Sequence, residues 1–541
     1  VYLYLKVRTK YLIMKQTKIV PGGFILFLFA VILMNCGCAT TLIRGMHDPH
    51  LINSYSSVKN VKVHMKDGSL FMLDSLITYE TSDTIDGYGI YYDKYRDIVK
   101  FNIHKSGIVI DSVFKIALPD VALLEVNSIK NLRGKAIAMT LISVASLGLT
   151  TYCLINPKAC FGSCPTFYSW DGNDTTLMAE GFSSSILSIY EKDDIDMLWS
   201  ACPTDKIFSL RLTNEALETH TIRSANILLL PREADSRVFA TETGDFFQTS
   251  HIQSPALCTA PEGDCLEKVI AMDKMERYSE SDRNNLISKE IIELTFDNVP
   301  EGDLGFIIGC RQTLMTTYLF YQSLAYLGSS AGYFASRIES GDKSLQKRVD
   351  RVRELLGGIE LFIRNSDGKW VKLNEIAENG PIASDIHLIR LPRTGSKELN
   401  MRLRLTKGLW RINYLALGTL MKQVNPTIIE PSLVISEKGI TTNPECLLRD
   451  PQNPLVTLPG DVYDLYYSFP DFPGNYEIFL KSRGYYIEWM REPWLREENH
   501  LKAALFFGMP WLFMKMAADD FKKTEPVMEE SFWNSRYVRK N

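Results

Sequence analysis

Cys160-Phe161-Gly162-Ser163-Cys164-Pro165-Thr166-Phe167-Tyr168-Ser169-Trp170-Asp171-Gly172 is the stretch whose reading decides the fold. Its last six residues set aromatic and small polar side chains before an Asp-Gly pair, the pattern of a strand running into a tight turn. The two cysteines, three residues apart in the intervening chain, staple the approach to that strand. In an exported protein such spacing predicts a local disulfide. A structural zinc site would need a second pair of ligands at similar spacing, and Cys258 and Cys265 do not supply it. Cys160 with Cys164, and Cys258 with Cys265, are therefore the disulfide candidates. Cys153, Cys202, Cys310 and Cys446 sit in apolar or turn contexts and are expected to be buried thiols.

Working outward, the rest of the chain agrees with a mainly β fold carrying α insertions. Its 25 Tyr, 26 Phe and 8 Trp fall in short runs with β-branched residues between Gly, Asp, Asn and Pro. The length of 541 residues predicts several domains, and a net charge of −4, close to neutral for this size, gives no sign of a nucleic-acid or anionic-lipid partner. Residues 51–128 read as a small β-barrel or sandwich, because Val61–Met65 alternates and Asp67-Gly68 turns the chain. Residues 160–312 and 358–487 read as larger β-sandwich-like domains. The first includes a loop at 245–280 clipped by the second cysteine pair. Between them, 313–357 reads as a helical insertion: Leu314–Ile338 is apolar all round, hence deeply buried, and Ser344–Leu356 is amphipathic. The tail, 488–541, is helical and rich in Trp. Pro493, Pro510 and Pro526 are expected to split it, and its aromatics to pack onto their own domain ahead of binding a partner.

Near the N-terminus, Met14-Lys15-Gln16-Thr17-Lys18 and an apolar core from Phe24 to Met34 lead into Leu33-Met34-Asn35-Cys36-Gly37-Cys38. A basic start, a short apolar core and this ending resemble a bacterial lipoprotein signal. On that reading residues 1–38 are an upstream extension plus the signal. The resemblance implies diacylglycerol on a cysteine thiol, cleavage before it, and a further acyl chain such as palmitate on the new amine. Cys36 has Leu33 three residues before it, but Met34 and Asn35 stand where small residues are preferred. Cys38 has Gly37 just before it but Asn35 at the aliphatic position. Both remain lipidation candidates. With two or more chains such a tether is durable. No acidic residue follows either cysteine directly, which points to the outer membrane.

A second apolar stretch, the helix expected at 134–156, carries an uncharged run, Ala136–Ile155, long enough to span a bilayer. Lys130, Arg133 and Lys135 precede it, on the side an N-terminal lipid would place outside the cell, against the positive-inside preference. It is expected to lie buried, or against a membrane or partner. The opening stretch, with Ala179-Glu180-Gly181-Phe182 and Leu212-Thr213-Asn214-Glu215-Ala216, resembles an uncharacterised family of β-rich exported bacterial proteins in which a Cys-Pro-x-x-Tyr strand starts the main domain. The resemblance implies export and β structure and no activity. Met401–Trp410, Pro459–Tyr466 and Phe479–Tyr486 are loosely similar to the non-catalytic C-terminal β-module of large secreted repeat proteins.

Catalytic patterns are sparse. Gly328-Ser329-Ser330-Ala331-Gly332 fits the nucleophile elbow, with Asp385 and His387 following, but it lies in a helical pattern where a strand-to-helix turn is required. Glu218 and His220 share one strand face near Glu215; a solvated face is the expected reading, ahead of a metal site. No phosphate-binding Gly loop, dinucleotide fingerprint or His-Glu-x-x-His occurs. No catalytic residue, metal ligand or cofactor is assigned. The sequence predicts a non-catalytic, lipid-anchored protein of the cell envelope, facing the periplasm or surface, that acts in binding or assembly. Its partners would be the membrane, through the N-terminal lipid, and an envelope protein, through the 136–155 helix or the aromatic tail. The alternative is an envelope hydrolase whose site is formed from non-contiguous residues.

Overall fold

The computed structural model describes residues 40–47, 58–65, 69–77, 83–92, 98–102, 104–105, 108–109, 113–131, 164–172, 175–203, 206–216, 218–273, 275–339, 341–377, 380–393, 395–437, 448, 454–457, 460–471, 474–488 and 492–535. The signal with Cys36 and Cys38, the 134–156 helix, Cys153, Cys160 and Cys446 lie outside the described residues. The chain divides into two units, residues 1–42 with 129–141, and residues 43–128 with 142–541. The described ends of the first, 40–42 and 129–131, are strand. The second holds the features that follow.

The fold is mainly β. Residues 40–131 contribute a seven-stranded sheet, in which Val58–Met65, Leu70–Ile77, Thr84–Tyr92 and Ile98–Asn102 follow one another as an antiparallel meander. Val61, Val63, Leu73, Ile85 and Ile116 form its small core.

The main body stacks four antiparallel sheets, and the burial period of single strands shows why. In Glu218–Arg232, Ile227 and Leu229 point into one core while Leu228 and Leu230 point into another. A strand apolar on both faces must lie between two layers. Trp410–Val424 repeats the arrangement, with Leu415 and Leu417 in a third core and Tyr414 and Ala416 facing back. The outer sheets alternate more simply, as in Lys289–Asp297, where every second residue is buried.

Pairings run between distant parts of the sequence. Ile207–Thr213 lies beside Val462–Ser468, with Arg211 forked onto Asp464 at 2.8 and 2.9 Å. Glu218–Arg232 lies beside Asn475–Glu488, and Lys289–Asp297 beside Glu398–Thr406. Strands from 160–312 and 358–487 are thus interleaved in the same sheets rather than forming two successive sandwiches. The expected loop at 245–280 contains a strand, Phe246–Gln253, paired with Trp410–Val424.

Six helices occur among the described residues: α1 Leu314–Leu327, α2 Ala331–Glu339, α3 Lys343–Leu356, α4 Glu492–Arg496, α5 His500–Gly508 and α6 Pro510–Ser535. Thr313 caps α1 by accepting from the Met315 amide, and Asp342 caps α3 by accepting from the Ser344 and Leu345 amides. The single helix expected over 314–338 breaks at Gly328, whose φ of 51° a side chain would strain. Pro526 does not split the tail: it sits inside α6 with its ring exposed. The insertion and the tail form one helical layer. Tyr318 packs at a tilt against Phe521, Tyr321 against Trp494 and Phe334 against Phe507, and Tyr326 meets Phe513 edge to face. Trp494, Phe506, Phe513 and Phe521 are buried, and Trp511 is exposed. Among the described residues no helix is long and apolar enough to cross a membrane, which says nothing of strands.

Candidate functional site

Where strand ends from the body meet the helical layer, they enclose a cavity of about 630 Å³, within the range of about 300–1,000 Å³ that holds small molecules. Leu319, Leu324 and Leu327 of α1, Phe334 and Ile338 of α2, Val349, Val352 and Leu356 of α3, and Phe506 and Phe507 of α5 give it apolar walls. Leu70, Met72 and Tyr92 of the N-terminal sheet also line it. The amphipathic and all-apolar patterns of α1–α3 explain the walls: residues without a partner sheet face the cavity.

Polar lining residues come from strand termini, among them Cys164, Glu180, Glu218, Gln312, Tyr486 and Glu488. Glu180 ends the strand Thr175–Glu180, and its Oε2 accepts from the Ile382 amide at 2.7 Å and the Ala383 amide at 3.3 Å. The loop supplying those amides comes so close that a Cβ on Gly380 would stand 2.1 Å from Oε2. Glycine is required there by contact. Oε1 of Glu180 is buried and has no hydrogen-bond partner. Desolvation outweighs the two amides and pushes the carboxyl up to about 7.

Beside it, burial, reinforced by the charges of Glu180 and Glu218, drives the Cys164 thiol well above its usual range. A thiol held protonated is a poor nucleophile. The Tyr486 hydroxyl donates to the Ser183 carbonyl at 2.9 Å, and Cys164 Sγ approaches the same carbonyl at 3.9 Å. Glu218 Oε2 and His220 Nε2 are 3.0 Å apart with both side chains buried. Burial drives the imidazole down to about 3, so it is neutral and Nε2–H donates to the carboxylate. Nδ1 is then a buried acceptor without a partner.

A second acidic group stands behind the first. Asp194 Oδ2 accepts from the Phe182 amide at 2.5 Å, and Phe182 is held at a φ of 37° in the turn that follows Glu180. Desolvation, and then Asp385, push Asp194 up to about 6. Asp196 is raised by burial, then by Asp194, Asp385 and Glu180, and its Oδ2 is buried without a partner. Among the described residues no three His, Cys, Asp or Glu side chains are grouped so as to hold a metal ion.

The candidates read from the sequence fall as follows. Glu218 and His220 do share a strand face, but that face is buried and not solvated, since the strand lies between two sheets. Glu215 is turned elsewhere, accepting from Tyr168 and Thr213. Ser330 lies in a 3-10 turn between α1 and α2, and Asp385 and His387, 3.1 Å apart, lie on the strand Asp385–Arg390. The helical setting of that serine is the one expected. Cys164 and Cys310 are buried, whereas Cys202 is exposed, against expectation. Cys258 and Cys265 are free thiols whose sulfurs meet at 3.0 Å.

Sequence reasoning passed over Glu180, Asp194 and Asp196. The signal for Glu180 was a lone acid inside Met178-Ala179-Glu180-Gly181-Phe182. Lys192-Asp193-Asp194-Ile195-Asp196 reads as a solvated strand until its neighbours are known.

No protein-family profile and no curated protein sequence matches the chain. Among solved structures, a beta-porphyranase of glycoside hydrolase family 86 from the human gut bacterium Bacteroides plebeius matches at 8% identity and a TM-score of 0.15, covering 47% of this chain and 43% of that one. A family 31 alpha-xylosidase from Xanthomonas citri matches at 8% identity and a TM-score of 0.15, covering 80% of this chain and 36% of the other. The chain spans less than half the length of either, and similarity at this level carries no argument about fold or activity.

Proposed function

We propose that the chain is a non-catalytic, lipid-anchored binding component of the cell envelope, tethered at Cys36 or Cys38, whose cavity holds an amphipathic small molecule. The apolar cavity with carboxylates among its polar lining carries this reading. Apolar walls with a few polar groups are the usual makeup of a ligand pocket. The Cys164 thiol, driven well above its usual range by burial, is a poor nucleophile, which favours binding over thiol chemistry. The tether rests on the sequence of the signal alone.

Two measurements test it. The mature N-terminus should begin at Cys36 or Cys38 and carry acyl mass, and an unmodified start removes the anchor. A neutral apolar dye such as Nile red should be retained by the protein and lost from Ala335→Trp, which fills the cavity. Equal retention by both proteins removes the binding site.

One observation favours the envelope hydrolase as a second reading. A carboxyl held near neutrality in a pocket, as Glu180 is, is suited to general acid catalysis. Turnover of an envelope substrate that is lost in Glu180→Gln would select it.

A further inference from the structure

We propose that the cavity selects amphiphiles whose apolar chain ends in a protonated amine, with the ammonium seated at Glu180. The inference rests on the reading of the cavity as a binding site and adds the chemistry of the head group.

Four acids, Glu180, Glu218, Glu339 and Glu488, are among the lining residues. Glu180 is 4% exposed, and its Oε2 is occupied by two backbone amides. Its Oε1, equally buried, accepts no hydrogen bond of ordinary geometry, and the one donor beside the carboxyl is the weak, neutral Cys164 thiol. Glu218 receives the hydrogen of a neutral imidazole, which brings no positive charge. Among the described lining residues the sole cation is Arg353, whose guanidinium lies 4.9 Å over the Tyr190 ring and donates to the Ser184 carbonyl. Among the described lining residues acids therefore outnumber cations, and Glu180 Oε1 is buried without a hydrogen bond of ordinary geometry. A buried carboxylate without a cation is costly, and a ligand that supplies both a donor and a charge offsets that cost. An anionic head group would meet the reverse field. A neutral hydroxyl could donate to Oε1 but would leave the charge uncompensated.

The apolar contribution cancels if chain length is fixed and only the head changes. Displacement of Nile red from the full chain at pH 8, where Glu180 is ionised and an alkylamine is still protonated, compares dodecylamine, dodecanol and dodecanoate below micellar concentrations. The amine should bind about tenfold or more tightly than the alcohol, the scale of a charge-assisted hydrogen bond in a buried site, and dodecanoate should bind most weakly. Glu180→Gln should erase the amine's advantage and leave the alcohol unchanged. Glu488→Gln, at a position away from the two amides, should reduce the advantage without disturbing the Glu180 cradle. If the alcohol or the carboxylate binds as well as the amine, or if neither variant moves the preference, the inference is overturned while the binding site stands. If none of the three displaces the dye, and Ala335→Trp has no effect on dye retention, the binding reading itself fails.

Discussion

Replacing Glu180 by Gln should stabilise the protein above neutral pH. In the folded chain this carboxyl is pushed from an ordinary value of 4.5 to about 7. Below about pH 4.5 it is neutral whether the chain is folded or not, and it contributes nothing to the pH dependence. Between the two values the folded protein keeps a proton that the unfolded chain has released, so stability falls as pH rises. Above about 7 both states are ionised and the full penalty is present. The displacement corresponds to about 3 kcal/mol at 1.36 kcal/mol per pH unit. Glutamine keeps a carbonyl oxygen for the amides of Ile382 and Ala383 and carries no charge. Urea unfolding followed by tryptophan fluorescence at pH 5 and pH 8 measures the difference. Asp194 and Asp196 act in the same sense, so the wild type should lose stability over this interval by more than the Glu180 share alone. The variant should lose less, by most of that 3 kcal/mol. If the two pH profiles superimpose, Glu180 ionises normally and the account of a dry carboxylate is wrong.

Other expectations follow from particular contacts. Arg277 is fully buried between Glu290, at 2.5 Å, and Glu262, at 2.9 and 3.0 Å. Arg277→Met should cost about 3–5 kcal/mol in urea unfolding by stranding Glu290, and a loss under 1 kcal/mol would refute a buried ion pair. Gly380→Ala should destabilise by about 1–3 kcal/mol through its clash with the Glu180 carboxylate. Shortening the clashing side chain in Gly380→Ala/Glu180→Ala should restore part of that, and strict additivity would argue against the contact. Cys258 and Cys265 should become inaccessible to alkylation after folding in an oxidised glutathione buffer and accessible again after reduction, by mass spectrometry of the denatured chain. Alkylation of both after oxidation would leave them as structural thiols.

The sequence showed local structure more readily than partnership. Alternation in Val61–Met65 and the aromatic run before Asp171-Gly172 marked strands that are present, and the apolar run from Leu314 marked a buried helix. The β-rich class was legible for that reason. The division into successive domains was not, because Arg211 pairs with Asp464 and Thr221 with Tyr485, and no local pattern names a partner so far away. The same limit hid the cavity lining. Glu180 is buried by the 380–383 loop, Asp194 by its neighbours on other strands, and His220 by its position in an inner sheet. Gly328 ended the first helix at a glycine that the apolar pattern overrode, and Pro526 was accommodated within a helix.

The interleaved pairing has a consequence for how the polypeptide is made. A ribosome delivers Ile207–Thr213 and Glu218–Arg232 long before their neighbours Val462–Ser468 and Asn475–Glu488 exist. Until those last strands emerge, two sticky edges wait unpaired, and such edges invite aggregation. Closure of the body therefore waits until residue 488 has been made. A chain interrupted before Val462 would leave Ile207–Thr213 and Glu218–Arg232 without these neighbours.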